Sequence, residues 1–278
     1  MQDTRIAVVV SNARLGYTSQ NLSKIADWVQ KARKEGAALV CFPELQVTGY
    51  HTQPLIKDYA EPVPGPSSRQ LETLAKNNNI AIMAGMAEID GNDCLYAAHL
   101  LTRPAGISGH YRKTHLAPPE QAVFKAGQSV PLFNVKGLRL GIQLCYDAHF
   151  PEISTTMALN GAEAIFIPHA SPFGTPEAKL ASWMRHLPAR AFDNGVFIIA
   201  CNQTGDNGAG LTFPGVGLVL GPSGSVLAAY TGTEAHMMLV DLKQADLSAV
   251  REHRMRYFLP HRRPELYDWG HGGDSVQQ

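Results

Sequence analysis

Net charge is the first thing this chain lacks. Its 278 residues carry 24 lysines and arginines against 24 aspartates and glutamates, a formal charge of zero. That balance excludes a basic nucleic-acid glove and a polyacidic tail, so no nucleic-acid partner is expected. Long apolar runs are also missing. None approaches the ~18 residues that cross a bilayer, so no membrane partner is expected either. The N-terminus, MQDTRIAVVV, carries an acid at position 3 ahead of a short apolar stretch, too short for the core of a secretion signal. A cytoplasmic location is the expectation.

Cysteine is scarce: four residues, at 41, 94, 145 and 201, with no CxxC pair and no zinc spacing among them. Reduced thiols are expected in a cytosolic setting. The 11 histidines never form HExxH or another ligand pair at helical spacing, so a metal site is not expected. A P-loop is absent, and the glycines of FPGVGLVLG do not match GxGxxG. Neither a phosphate cradle nor a cofactor is implied.

What is present reads as an ordinary globular protein, 45% hydrophobic and 17% charged. Short Val/Ile/Leu/Ala runs alternate with helical patterns. RIAVVV (5–10), AALVCF (37–42), IAIMAG (80–85), LRLGIQLC (138–145), AEAIFI (162–167) and GVFIIAC (195–201) read as strands; 19–35, 67–78, 151–160 and 176–194 read as helices. Two runs between Asp93 and Arg112, joined at Pro104-Ala105-Gly106, read as a hairpin, which makes the sheet mixed. After Asn202 come three hairpin-like strands, LTFPGVGLVL, SVLAAY and HMMLVDL, then a helix at about 243–256. One domain over 1–278 is expected, with a Pro/Arg-rich tail from about 257. Helices on both faces of one sheet, or on the outer faces of two stacked sheets, satisfy the pattern equally.

Ligands of α/β sheets bind beyond the carboxyl ends of strands. There this sequence places Glu44, Lys113 and Cys145. A thiol is a strong nucleophile once deprotonated, but its ordinary pKa leaves it mostly protonated at neutral pH, so it needs a base. An enclosed carboxylate has raised proton affinity and serves as that base, then as the acid for a leaving amine. A lysine ammonium would stabilise the oxyanion formed when sulfur attacks a carbonyl carbon. The backbone N–H after Cys145 offers a second donor, as in a nucleophile elbow.

Three segments in this order, CFPELQVTGY around Glu44, YRKTHLAPPE around Lys113 and GIQLCYDAHFPE around Cys145, resemble the nitrilase (carbon–nitrogen hydrolase) superfamily. The likeness extends to HLPARAFDNGVFIIACNQTG and the RRPELY tail. It implies an α-β-β-α sandwich, a homodimer or larger homo-oligomer, and a mechanism with no cofactor. Cys145 would be the nucleophile, Glu44 the base and acid, Lys113 with the Tyr146 N–H the oxyanion site, and Glu120 a second, orienting glutamate. Cys145-Tyr146-Asp147 resembles the amidase and carbamoylase branches, where nitrilases show Cys-Trp-Glu. His149 stands where several amidases have arginine. The PHASPFG segment is expected to line the pocket, with His169, Phe173 and Trp183 as an aromatic wall. No ion-pair clamp for a charged substrate is evident.

The expectation is a thiol hydrolase that cleaves a non-peptide C–N bond of a small amide or N-carbamoyl compound through a thioester, releasing ammonia or amine. Nitrile hydrolysis by the same residues, acyl transfer, and a catalytically silent binding module of the same fold are the alternatives.

Overall fold

A strand that is apolar at every position needs cover on both faces, because successive side chains point to opposite sides. The computed structural model, which describes residues 1–266, meets that need with four layers. The chain runs through β1 (Thr4–Val10), α1 (Thr18–Lys34), β2 (Leu39–Cys41), α2 (Pro66–Asn78), β3 (Ala81–Ile89), β4 (Leu95–Arg103) and β5 (Gly106–Arg112). It continues through β6 (Leu132–Val135), β7 (Leu138–Ile142), α3 (Pro151–Leu159), β8 (Ala164–Pro168), α4 (Pro176–Trp183), α5 (Leu187–Asn194) and β9 (Phe197–Cys201). The last elements are β10 (Gly205–Asp206), β11 (Thr212–Phe213), β12 (Gly215–Leu220), β13 (Val226–Gly232), β14 (His236–Leu242) and α6 (Gln244–Arg251).

Two six-stranded sheets result, in the orders β14-β1-β2-β3-β4-β5 and β13-β12-β9-β8-β7-β6. In each, three central strands run parallel (β1-β2-β3 and β7-β8-β9) and the flanking pairs are antiparallel. In β1, Ile6, Val8 and Val10 point into the cluster between the sheets, while Ala7 and Val9 face α1 and α2. In β9, Phe197, Ile199 and Cys201 face between the sheets, and Ile198 and Ala200 face the helices on the other side. The order of layers is therefore α-β-β-α, the stacked-sheet solution to the pattern.

The structure corrects several sequence-level boundaries. The helix expected over 176–194 is two helices. Pro188 lies in the first turn of α5, where its ring has no N–H to give the Met184 carbonyl and would clash with it in a continuous helix. LTFPGVGLVL divides at Pro214 into β11 and β12 for the same lack of a donor. HMMLVDL does not complete a hairpin with its predecessor. It crosses to the other sheet as β14 and pairs antiparallel with β1, Arg5 opposite Asp241. The last helix stops at Arg251 rather than about 256. Strand β6 was not anticipated; it turns into β7 through Lys136 and Gly137, both at positive φ (49° and 87°), the geometry of a two-residue hairpin turn. Of the tail, Leu259–His261 and Pro264–Leu266 form short 3-10 turns, and residues 267–278 lie outside the described residues. Among the described residues no helix is long and apolar enough to cross a membrane.

Candidate active site

Strands of both sheets deliver polar residues past their carboxyl ends, and β5, two antiparallel steps from β3, runs in the same direction as β1-β2-β3. Glu44 follows β2, Lys113 follows β5, and Cys145 opens a 3-10 turn, Cys145–His149, just past β7. The structure brings the first two into contact. Lys113 Nζ donates to Glu44 Oε1 at 2.9 Å and to Glu120 Oε1 at 2.8 Å. All three side chains are buried. Glu44 accepts a further bond from the Ala170 N–H on Oε2 (2.9 Å), and Gln203 Nε2 holds its carbonyl (2.8 Å). Glu120 also accepts the Tyr50 hydroxyl (3.0 Å) and the Ala117 N–H (2.8 Å). A lysine this far from water persists because two carboxylates surround it.

Burial pushes the Glu44 carboxyl up to about 7. Lys113 and the Ala170 N–H pull it down, and the neighbouring Glu120 charge adds to the rise. Burial opposes the Lys113 ammonium, but the charges of Glu44, Cys145 and Glu120 outweigh that and hold its pKa well above the ordinary lysine value. Burial also drives the Cys145 thiol up to about 12, with Lys113 opposing and the two glutamates reinforcing it. The resting site thus pairs a protonated thiol with a carboxylate near its midpoint at neutral pH and a permanently charged ammonium.

Cys145 has φ 44°, in the left-handed region that costs a side-chain-bearing residue roughly 1 kcal/mol or more. Asp147 holds it there. Its buried carboxylate accepts the Leu144 N–H (2.8 Å), the Tyr111 hydroxyl (2.8 Å), the Thr114 hydroxyl (2.9 Å) and the His115 N–H (2.7 Å). The nucleophile turn is thereby tied to the residues on either side of Lys113. The Tyr146 N–H stands at the start of that turn, where helical amides have no partner within the turn.

The expected pocket residues separate. His169 and Trp183 are buried and in contact, their ring centroids 4.4 Å apart, and His169 Nδ1 lies 2.7 Å from the Ile167 carbonyl oxygen. Burial holds His169 well below the ordinary imidazole pKa, so it is neutral. Phe173 does not join them: it is 66% exposed, in a bend where it and Gly174 both have positive φ. His149 is exposed, against His186 (4.6 Å) and Tyr146 (5.5 Å). Sequence reasoning missed Tyr50, Asp147 and the Ala170 N–H. Tyr50 and Asp147 lie within the motif segments around Glu44 and Cys145, which was the available signal; a main-chain donor has none. Among the described residues no group of three His, Cys, Asp or Glu is arranged to hold a metal ion.

Known proteins share both sequence and architecture with this chain. It is 33% identical over 255 residues to a protein of Pyrococcus abyssi named nitrilase, covering 90% of this chain and 93% of that one. It is 31% identical over 241 residues to the 2-oxoglutaramate amidase of Bacillus subtilis, covering 85% and 90%. The solved amidase of Nesterenkonia sp. AN1 superposes with a TM-score of 0.79 at 28% identity, covering 96% of both chains, in a variant bearing the acetamide moiety of fluoroacetamide at its active-site cysteine. The carbon–nitrogen hydrolase family model matches residues 5–252, and the chain belongs to that family.

Proposed function

We propose that this protein hydrolyses the C–N bond of small amides through a thioester on Cys145. The observation that carries this reading is the buried Lys113 ammonium shared between Glu44 and Glu120, whose three charges all act on the Cys145 thiol. Glu44 takes the thiol proton as sulfur attacks the carbonyl carbon, so no free thiolate accumulates in a site where its pKa is about 12. The oxyanion rests between Lys113 Nζ and the Tyr146 N–H. Glu44 returns the proton to nitrogen as the C–N bond breaks, and ammonia or an amine leaves. Glu44 then deprotonates water, which attacks the thioester; the carbonyl–sulfur bond breaks, the acid departs and the thiol recovers its proton. No step calls on a cofactor.

Glu120 is a positioning residue in this scheme, holding Lys113 through Oε1. His169 and Trp183 form one wall of the substrate space, and Tyr146 and His149 line its approach. The names of relatives favour amides over nitriles: 2-oxoglutaramate amidase, an (R)-stereoselective amidase from Pseudomonas sp. and the omega-amidases of Bos taurus and Mus musculus, against a nitrilase and a probable nitrilase. The protein is read as one cytoplasmic domain over 1–278 that works as a homodimer or larger. Exposed Met184, Phe192 and Phe258 on the α4–α5 side support self-association.

The test is ammonia release across aliphatic amides, ω-amides of dicarboxylic acids and N-carbamoyl amines, with Cys145→Ala as blank. Intact-mass analysis of wild-type protein quenched during turnover should find an acyl group on Cys145, and Glu44→Gln should neither acylate nor release ammonia. Ammonia from nitriles but from no amide, or an acyl group elsewhere, would sink the proposal.

A further inference from the structure

Lys179 lies on α4, half-buried, and its only side-chain hydrogen bond among the described residues runs from Nζ to Ser171 Oγ at 2.6 Å. No carboxylate among them pairs with it. A lysine ammonium has three protons to donate, so two remain for something else. Lys113 is placed differently: two of its protons go to Glu44 and Glu120, and the third is left for the oxyanion.

Ser171 belongs to the wall of the site. The preceding residue, Ala170, donates its N–H to Glu44, and Ser171 itself is locked to Asn202 by two bonds, N–H to Oδ1 at 2.9 Å and Nδ2 to the Ser171 carbonyl at 3.0 Å. Asn202 is anchored in turn on the Pro214 carbonyl (2.8 Å). Lys179 is therefore bonded to the strip whose Ala170 N–H also holds the base, and its charge acts on both Cys145 and His169. Ser171, the partner of its ammonium, and Asn202, which holds Ser171, are neutral, and so is His169. A partly dehydrated cation among neutral neighbours is costly unless an anion arrives to meet it.

We propose that Lys179 recognises a carboxylate carried by the substrate, so the preferred amides bear a negatively charged group on the chain beyond the scissile carbonyl. This rests on the amidase reading above and supplies the charged clamp that the sequence did not disclose. Ammonium and carboxylate would form a charge-assisted bond in a half-dry setting, while Lys113 remains reserved for the oxyanion.

The experiment measures kcat/KM for butyramide, succinamate and glutaramate. Wild-type protein should favour one of the two carboxylated amides over butyramide. In Lys179→Met that preference should fall roughly 10- to 100-fold, the range for a hydrogen bond to a charged group, mainly through KM. Lys179→Arg should restore part of it, and Lys179→Gln serves if the methionine variant does not fold. Succinate or glutarate should inhibit butyramide hydrolysis competitively in wild type and far less in Lys179→Met. A wild-type preference for butyramide overturns the proposal. So does an equal loss for charged and neutral amides, which would make Lys179 a regulator of the thiol. Absence of turnover on all three amides, butyramide included, counts against the amidase reading itself, whereas butyramide turnover without carboxylate preference removes only the Lys179 assignment.

Discussion

The Asp147 carboxylate accepts the Leu144 N–H at 2.8 Å, closing a loop around Cys145, which stands between them at φ 44°. A conformation that local sterics disfavour is thus held by a buried acceptor with four donors around it. Because three of those donors come from Tyr111, Thr114 and His115, the same carboxylate fixes the nucleophile turn relative to the loop that carries Lys113.

Asp147→Asn tests that coupling. An amide has one acceptor oxygen in place of two, and its NH2 group would face donors, so buried N–H and O–H groups are left without partners. The expected loss is about 2–4 kcal/mol of stability, with a fall of at least 100-fold in kcat/KM as the thiol and ammonium drift apart. Thermal unfolding and steady-state kinetics check both. A variant with wild-type melting temperature and activity within threefold would show that the network holds nothing in place.

The backbone at Cys145 gives a second expectation. At an ordinary position glycine is less stable than alanine by about 0.5–1 kcal/mol. At a left-handed position the order reverses, because only glycine reaches positive φ without steric cost. Cys145→Gly should therefore melt at or above Cys145→Ala, with both proteins inactive. Denaturant unfolding of the pair decides it; alanine the more stable by 0.5 kcal/mol or more would contradict the strained turn.

Much of this was legible in the sequence, and the parts that were not share a physical cause. Strands such as Ile6–Val10 and Phe197–Cys201 announce themselves because both faces are apolar, and Glu44, Lys113 and Cys145 stand where those or neighbouring strands end. One pattern of cover, however, fits a single sheet or two, and only the partition of alternate residues between separate clusters distinguishes them. The crossover of β14 depends on pairing across more than two hundred residues, Arg5 with Asp241, which no local pattern encodes. Pro188 and Pro214 were visible, yet the surrounding helical and strand patterns masked the breaks they impose. In the site, Asp147 and Tyr50 act through contacts distant in the chain, and Lys179 looks like any surface lysine until its neighbours are known.

The pH dependence follows from Glu44. Its carboxyl ionises near 7 because burial disfavours the charge, and the base must be ionised to accept the thiol proton. Activity in kcat/KM should rise with a single proton's slope through about pH 7 and then level off. No alkaline fall is expected before about pH 10, since the thiol stays protonated toward 12 and the Lys113 ammonium is held well above its ordinary pKa. A profile already flat from pH 5 to 9 would remove Glu44 as the titrating base.

Glu120→Gln separates the electrostatic role of Glu120 from its mechanical one. The Glu120 charge raises the Glu44 pKa, and Lys113 divides its bonds between the two glutamates. With the charge gone, Glu44 no longer faces a second anion and draws more of the ammonium, so both effects favour its ionised form. The acidic limb of the profile should therefore move to lower pH, even as the maximal rate falls because Lys113 and the Tyr50 hydroxyl lose their ionised acceptor. The position of the limb and the height of the plateau are independent readings of one titration curve. A lower plateau with the limb still near pH 7 would make Glu120 a structural support only, and a limb shifted upward would reverse the sign of the interaction argued for the pair.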